Sequence, residues 1–154
     1  MTGGKGIKAF LGSYREVVED LIGGEGIIVY SGCAGTCTPF AELLAYTVRD
    51  LDVKQYYSID LEPKFHPMAV MDHGVVVEED AIGLKEADLV VLLGGLAMPH
   101  SEVTAEDANR FIENLGNPNV VGVCFMSIFD EAGWTEEVDF DAIIDAYIEV
   151  EVKR

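Results

Sequence analysis

Leu89-Val90-Val91-Leu92-Leu93, running straight into Gly94-Gly95-Leu96-Ala97-Met98-Pro99-His100-Ser101, decides the fold class. Five apolar residues without polar alternation read as a strand covered on both faces, the pattern of a parallel sheet between layers of helix. Two other runs repeat the arrangement. Gly26-Ile27-Ile28-Val29-Tyr30 leads into Ser31-Gly32-Cys33-Ala34-Gly35-Thr36-Cys37-Thr38-Pro39, and the run from Asn119 ends in Cys124-Phe125-Met126-Ser127. Parallel strands deliver the loops that follow them to one edge of the sheet, where open α/β proteins bind their ligands. These three loops hold all three cysteines of the chain.

Helical patterns fill the gaps between the runs. From Ile7, the residues Phe10, Leu11, Tyr14, Val18, Leu21 and Ile22 recur at three- and four-residue steps until Gly23-Gly24, which predicts an amphipathic helix. Thr38 is placed to cap a second helix with Pro39 at its first position. Its inner stripe is Phe40, Leu43, Leu44, Thr47, Val48 and Leu51. Thr104 and Asp107 form a capping-box pattern for a third, with Ala108, Phe111, Ile112 and Leu115 inside and Gly116 as its stop. Gln55 to Ile59 and Val75-Val76-Val77 predict strands, Asp60 to His73 an irregular connection, Asp80 to Ala87 a short helix and Phe140 to Tyr147 another. Ile148, Val150 and Val152 alternate with Glu149, Glu151 and Lys153 as a charged edge strand does. Together these predict one α/β domain over residues 1–154, a three-layer sandwich with a mostly parallel sheet, Rossmann-like or flavodoxin-like.

Composition excludes several classes of function. With 28 Asp plus Glu against 10 Lys plus Arg, the formal charge is −18. That repels phosphate backbones, and the scattered cations form no basic patch, so neither nucleic acid nor an anionic membrane is an expected partner. The longest apolar stretch falls far short of the roughly 20 residues that span a bilayer. Met1-Thr2-Gly3-Gly4-Lys5-Gly6 shows no leader pattern. An odd number of cysteines without an export signal predicts free thiols in a reducing, cytoplasmic setting.

The first loop has the form of an anion cup. Gly32, Cys33, Gly35, Thr36 and Thr38 lie between a strand and a helix N-terminus, where backbone N–H groups and the helix dipole favour negative charge. Gly94, Gly95, Met98 and Ser127 would wall it. The lysine of Gly-x-x-x-x-Gly-Lys-Ser/Thr is missing, and Gly32-x-x-Gly35 does not meet Gly-x-Gly-x-x-Gly, so neither a nucleoside triphosphatase nor an ordinary dinucleotide dehydrogenase is indicated. The glycines also fit a plain tight turn.

The same loops carry thiol chemistry. Cys37, near a helix N-terminus, is the candidate nucleophile or metal ligand, with His100 as acid or base and Cys33 and Cys124 as co-ligands. A closed zinc site usually takes four ligands, and His100 or Asp60 would have to supply the last; no Cys-x-x-Cys pair is present. Cys124 also reads as a small core residue at a strand end. His66, Asp72 and His73 read as surface or capping residues. Asp130, Glu131 and Trp134 suggest a rim, with Trp134 equally suited to sealing the core. Phe125, Met126, Ile128 and Phe129 suggest a contact between copies, hence a homo-oligomer.

Cys37-Thr38-Pro39-Phe40-Ala41-Glu42-Leu43-Leu44-Ala45-Tyr46-Thr47-Val48-Arg49-Asp50, with Leu92-Leu93-Gly94-Gly95-Leu96-Ala97-Met98-Pro99 and Gly122-Val123-Cys124-Phe125-Met126-Ser127-Ile128-Phe129, resembles a conserved family of uncharacterised methanogen proteins, archaeal chains classed as a domain of unknown function. The resemblance covers nearly the whole chain and implies an archaeal cytoplasmic protein. It brings no activity or catalytic residues with it. The leading expectation is therefore a small anionic or nucleotide-like ligand held at the C-terminal edge of the sheet. A thiol enzyme or thiol–metal site is the second, and an oligomeric interaction protein without a ligand the third. Cofactor and metal identity stay open.

Overall fold

The computed structural model describes residues 3–154; Met1 and Thr2, which open the stretch read for a leader, lie outside them. In chain order the elements are α1 (Gly6–Ile22), β1 (Glu25–Gly32), α2 (Cys37–Thr47), β2 (Asp52–Ile59), β3 (His66–Met71), β4 (Gly74–Val77) and β5 (Leu89–Leu93). A 3₁₀ turn (Gly94–Ala97), α3 (Ala105–Asn114), β6 (Asn119–Phe125), α4 (Ile128–Glu131), α5 (Trp134–Glu137) and β7 (Ala142–Ala146) follow. The seven strands form one sheet in the order β4-β3-β2-β1-β5-β6-β7. From β2 through β7 every neighbouring pair is parallel, and β3 and β4 add an antiparallel border. This is the expected α/β architecture.

The unbroken apolar runs sit in the middle of the sheet because both of its faces are covered. All five residues of β5 are buried. On one face α1 and α2 pack Phe10, Tyr14, Val18 and Leu44 against Ile28, Tyr30 and Val91. On the other, α3 and the two short helices pack Ala108, Phe111, Phe129 and Trp134 against Val29, Val90 and Leu92. Each fully buried Leu, Val or Phe contributes roughly 1.5–3 kcal/mol. Trp134 belongs to this core rather than to a rim. A polar chain crosses the first core: Tyr14 and Tyr30 share a hydroxyl contact of 2.6 Å, Tyr30 donates to Gln55 Oε1 at 2.5 Å, and Gln55 Nε2 donates to Ala45 O at 3.0 Å. Every buried polar group in that chain is thereby satisfied.

Local chemistry sets the helix ends. α1 stops at Gly23, whose φ of 66° lets its N–H reach Glu19 O. α3 begins with the full capping box: Thr104 Oγ1 accepts from the Asp107 N–H at 3.1 Å, and Asp107 Oδ2 accepts from the Thr104 N–H at 2.9 Å. Among the described residues no helix is long and apolar enough to cross a membrane.

Five expectations are corrected. α2 starts two residues early, at Cys37; Thr36 is its cap position without a side-chain bond. Pro39 still lies in the first turn, where a missing N–H leaves no bond unmade. The connection after β2 is irregular only to Phe65, because Pro67, in β3, faces Tyr56 in a pairing only two residues long, which asks little of the N–H that proline lacks. Residues 80–87 form no helix; Ile82 instead exchanges both backbone hydrogen bonds with Phe65. Finally, residues 142–146 are strand rather than helix, since the edge of β6 offers them a parallel ladder; tertiary pairing overrides local preference here. The alternating stretch beyond, 148–152, has no ladder partner.

Candidate functional site

β1, β5 and β6 are parallel, so Cys33, Gly94 and Met126 follow strands that end at one edge of the sheet. β5 lies between β1 and β6. Cys124 is therefore separated from the first loop by a whole strand.

The loop between β1 and α2 brings Cys33 and Cys37 together. Cys33 is half-buried, Cys37 is only 6% exposed, and the Cys33 thiol donates to the Cys37 sulfur across 3.1 Å. The four-residue step works because Cys33 directly follows the strand while Cys37 opens the helix, so the intervening turn folds one sulfur back over the other. Thr36 N–H donates to Ala34 O within that turn. Tyr57, buried in the neighbouring β2, donates its hydroxyl to Cys33 O at 2.7 Å and fixes the loop from below. Burial raises the Tyr57 hydroxyl above its ordinary range, with Thr38 partly opposing the shift, so it remains a donor.

Gly95 and Gly32 make this pairing possible, and Gly94 makes room for Cys124, each for want of a side chain. A Cβ on Gly95 would lie 2.3 Å from the Cys37 sulfur and 2.7 Å from that of Cys33. On Gly32 it would lie 2.6 Å from Cys37 Cβ, and on Gly94 2.8 Å from both Cys124 Cβ and Ile128 Cγ2. All of these distances are shorter than contacts to a methyl carbon tolerate. Glycines read from the sequence as the wall of an anion cup thus face the protein's own cysteines. Gly35, by contrast, is exposed at φ 83° with open space before it.

Burial pushes the Cys37 thiol up to about 12; its contact with Cys33 adds to the shift, and backbone N–H groups of Cys33 and Gly95 partly oppose it. Cys37 is consequently a neutral thiol at neutral pH rather than the preformed thiolate that a helix N-terminus suggests.

Cys124 belongs to a different constellation. Its sulfur lies 3.6 Å from Asp145 Oδ1, and Asp145 also accepts from the Ser127 N–H at 2.9 Å, the Ser127 hydroxyl at 2.6 Å and the Tyr147 hydroxyl at 3.2 Å. Met126 and Ser127 both hold left-handed backbone, at φ 55° and 59°, which costs roughly 1–2 kcal/mol per residue. The carboxylate clamps that strained turn. Burial tends to raise the Asp145 carboxyl, but the donors around it, Ser127 foremost, outweigh burial and hold it below the usual carboxylate range. Burial pushes the Cys124 thiol up to about 11. Asp145 carried no signal in the sequence beyond a polar residue inside an apolar run.

His100 and Met98 are exposed beyond the 3₁₀ turn, and His100 makes no hydrogen bond or ion pair among the described residues. Neither Asp60 nor His66 joins the thiols; His66 Nδ1 lies 2.8 Å from Glu78 O. No group of three or more His, Cys, Asp or Glu side chains among the described residues is placed to hold a metal ion. Of the apolar residues read as a contact between copies, Phe129 is fully buried and only Met126 is exposed.

Residues 5–149 match the family model described as an uncharacterised protein conserved in archaea (DUF2124). An uncharacterised protein of Methanocaldococcus jannaschii is 39% identical over 150 residues, covering 96% of this chain and 89% of its own length. One from Methanothermobacter thermautotrophicus is 39% identical over 152 residues, covering 97% and 95%. A crystal structure of a protein of unknown function from Methanothermobacter thermautotrophicus superposes with a TM-score of 0.88 at 36% identity, over 100% of this chain and 96% of that one.

Proposed function

We propose that this chain, which belongs to the DUF2124 family of uncharacterised proteins conserved in archaea, acts through Cys33 and Cys37 as a reversible dithiol–disulfide pair. The observation that carries the reading is the 3.1 Å approach of the two sulfurs over the bare face of Gly95. A disulfide bond is about 2.05 Å long, so the sulfurs need to close by roughly 1 Å.

The co-reactant is an external disulfide. Cys33, the more accessible thiol, loses its proton and attacks one sulfur of that disulfide. The external S–S bond breaks, one external thiol leaves and takes up a proton, and a mixed disulfide to Cys33 remains. Cys37 then loses its proton, attacks the Cys33 sulfur and releases the second external thiol. Two electrons have passed to the external disulfide, and Cys33–Cys37 is oxidised. The reverse sequence reduces it. Burial of Cys37, only 6% exposed against the half-buried Cys33, makes it the second attacker, shielded until the mixed disulfide brings a sulfur to it.

The test is incubation with a small disulfide followed by intact-mass measurement and thiol mapping. Loss of two hydrogens, with Cys33 and Cys37 protected and Cys124 free, is the expected result. In Cys37→Ser a persistent mixed disulfide at Cys33 should accumulate. A folded protein whose Cys33 and Cys37 stay reduced throughout the titration overturns the reading.

A small anionic ligand at the same edge is the second reading. It is favoured by the α2 N-terminus, which has no side-chain cap, next to exposed Gly35 and Thr36. Equilibrium dialysis with inorganic phosphate and with a nucleoside monophosphate tests it; binding that survives Cys37→Ser would separate it from the thiol reading.

A further inference from the structure

We propose that two copies of this chain exchange their C-terminal segments, residues 148–154 of one covering an apolar corner of the other formed by Ile7, Phe125 and Met126. Two surfaces lack a partner among the described residues of the protomer, and their chemistry is complementary.

The corner lies where α1 begins. Ile7 is 62% exposed, one turn ahead of Phe10, whose ring sits 5.7 Å from that of Phe125. Phe125 in turn meets Phe40 at 4.8 Å, and Met126 beside it is 51% exposed. A half-buried aromatic row thus continues into exposed aliphatic surface. Lys5 and Lys8 bracket Ile7 and are exposed, and neither makes an ion pair among the described residues. On a chain of net charge −18 this is a locally cationic spot.

The segment after β7 has the reciprocal character. Ile148, Val150 and Val152 are 53%, 81% and 70% exposed, and they alternate with Glu149, Glu151 and Lys153. Alternation of period two is how a strand presents one apolar face for burial, yet these residues have no ladder partner in their own protomer. The Met126 N–H donates to Ala146 O at 2.9 Å, so the segment leaves the sheet beside the corner. A two-fold exchange places Ile148 and Val150 on the partner's Ile7 and Met126 and sets Glu149 and Glu151 near the partner's Lys8 and Lys5. Each protomer gives one segment and receives one, as a closed two-fold interface requires.

Sedimentation equilibrium of the full chain is expected to show a dimer, and Val150→Glu a monomer with an unchanged circular-dichroism spectrum, since Val150 lies outside both cores. Lys8→Glu and Glu149→Lys should each weaken self-association by about tenfold or more, by opposing like charges. Mixed together, these two variants regain both complementary pairs, and native mass spectrometry should show the heterodimer dominating. A native chain that stays monomeric, a dimer indifferent to Val150→Glu, or a mixture without preferential heterodimer overturns the exchange. None of these substitutions touches Cys33 or Cys37, so the outcome is independent of the thiol reading.

Discussion

Cys37 and Cys124 stand at the same edge of the same sheet, each buried and each against a glycine, but they are held by opposite kinds of neighbour. Cys37 faces a second sulfur at 3.1 Å with Gly95 beneath both. Cys124 faces the Asp145 carboxylate at 3.6 Å with Gly94 beneath it. A sulfur beside a sulfur has a redox partner within reach. A sulfur beside a carboxylate, in a turn stapled by that same carboxylate, is part of a scaffold. Residue type and place in the fold are thus insufficient to assign a role; the neighbouring group decides it.

The comparison is broken most severely at the glycines. Gly95→Ala places a methyl within 2.3 Å of one sulfur and 2.7 Å of the other, and should cost about 2–3 kcal/mol. It should also prevent the Cys33–Cys37 disulfide. Gly94→Ala, with its contact at 2.8 Å on Cys124 and Ile128, should destabilise comparably yet leave disulfide formation intact. Urea midpoints at constant m-value, paired with intact-mass measurement after oxidation, distinguish the two.

Next in size is Asp145→Ala. Four donors lose their acceptor while two residues remain in left-handed backbone, for an expected loss of about 2 kcal/mol. Alkylation of Cys124 should accelerate as the turn loosens, with no change in the oxidation of Cys33 and Cys37. If Asp145→Ala altered that oxidation instead, the two constellations would be one.

A smaller effect appears in alkali. The ordinary thiol value is 9.0, whereas folded Cys37 is held up to about 12 and Cys124 up to about 11. Above pH 9 the unfolded chain therefore releases protons that the folded chain keeps, so stability falls as pH rises from about 9 towards 12. Burial of Tyr14, Tyr30 and Tyr57, all raised, extends the fall. Cys37→Ala should flatten the profile across the whole window and Cys124→Ala only its lower part. Denaturant midpoints at stepped pH measure the difference.

How far the sequence reaches follows from the same distinction. The runs at Ile27–Tyr30, Leu89–Leu93 and Val120–Cys124 are legible because both-sided burial leaves an unbroken apolar signature, and the Thr104–Asp107 box because capping is local chemistry. That the three loops share an edge follows from parallel pairing. Ala142-Ile143-Ile144-Asp145-Ala146 is misread as helix because its strand state depends on pairing with β6, outside the local window that periodicity reads. The sulfur pair is half legible: Cys33 and Cys37 are visible as neighbours, but their orientation over Gly95, which is 58 residues beyond Cys37, comes only with the β1–β5 pairing. His100 shows the converse limit, since a residue type chosen for its loop lies exposed and without a hydrogen bond or ion pair among the described residues.

The finest test replaces one atom at each site. In Cys124→Ser the hydroxyl takes the place of a thiol whose partner is a carboxylate acceptor, and a hydroxyl donates to a carboxylate more strongly than a thiol does. The smaller oxygen gives up some packing, so the net change should stay within about 0.5 kcal/mol, with oxidation of the other two cysteines untouched. In Cys37→Ser the same exchange leaves Cys33 with a hydroxyl where its redox partner stood. Stability should again change little, yet no intramolecular disulfide can form and the mixed disulfide at Cys33 has no internal thiol to resolve it. Two isosteric substitutions at one sheet edge, nearly equal in denaturation and opposite in redox behaviour, locate function in the sulfur pair. Equal redox behaviour of the two variants would remove the distinction between the sites.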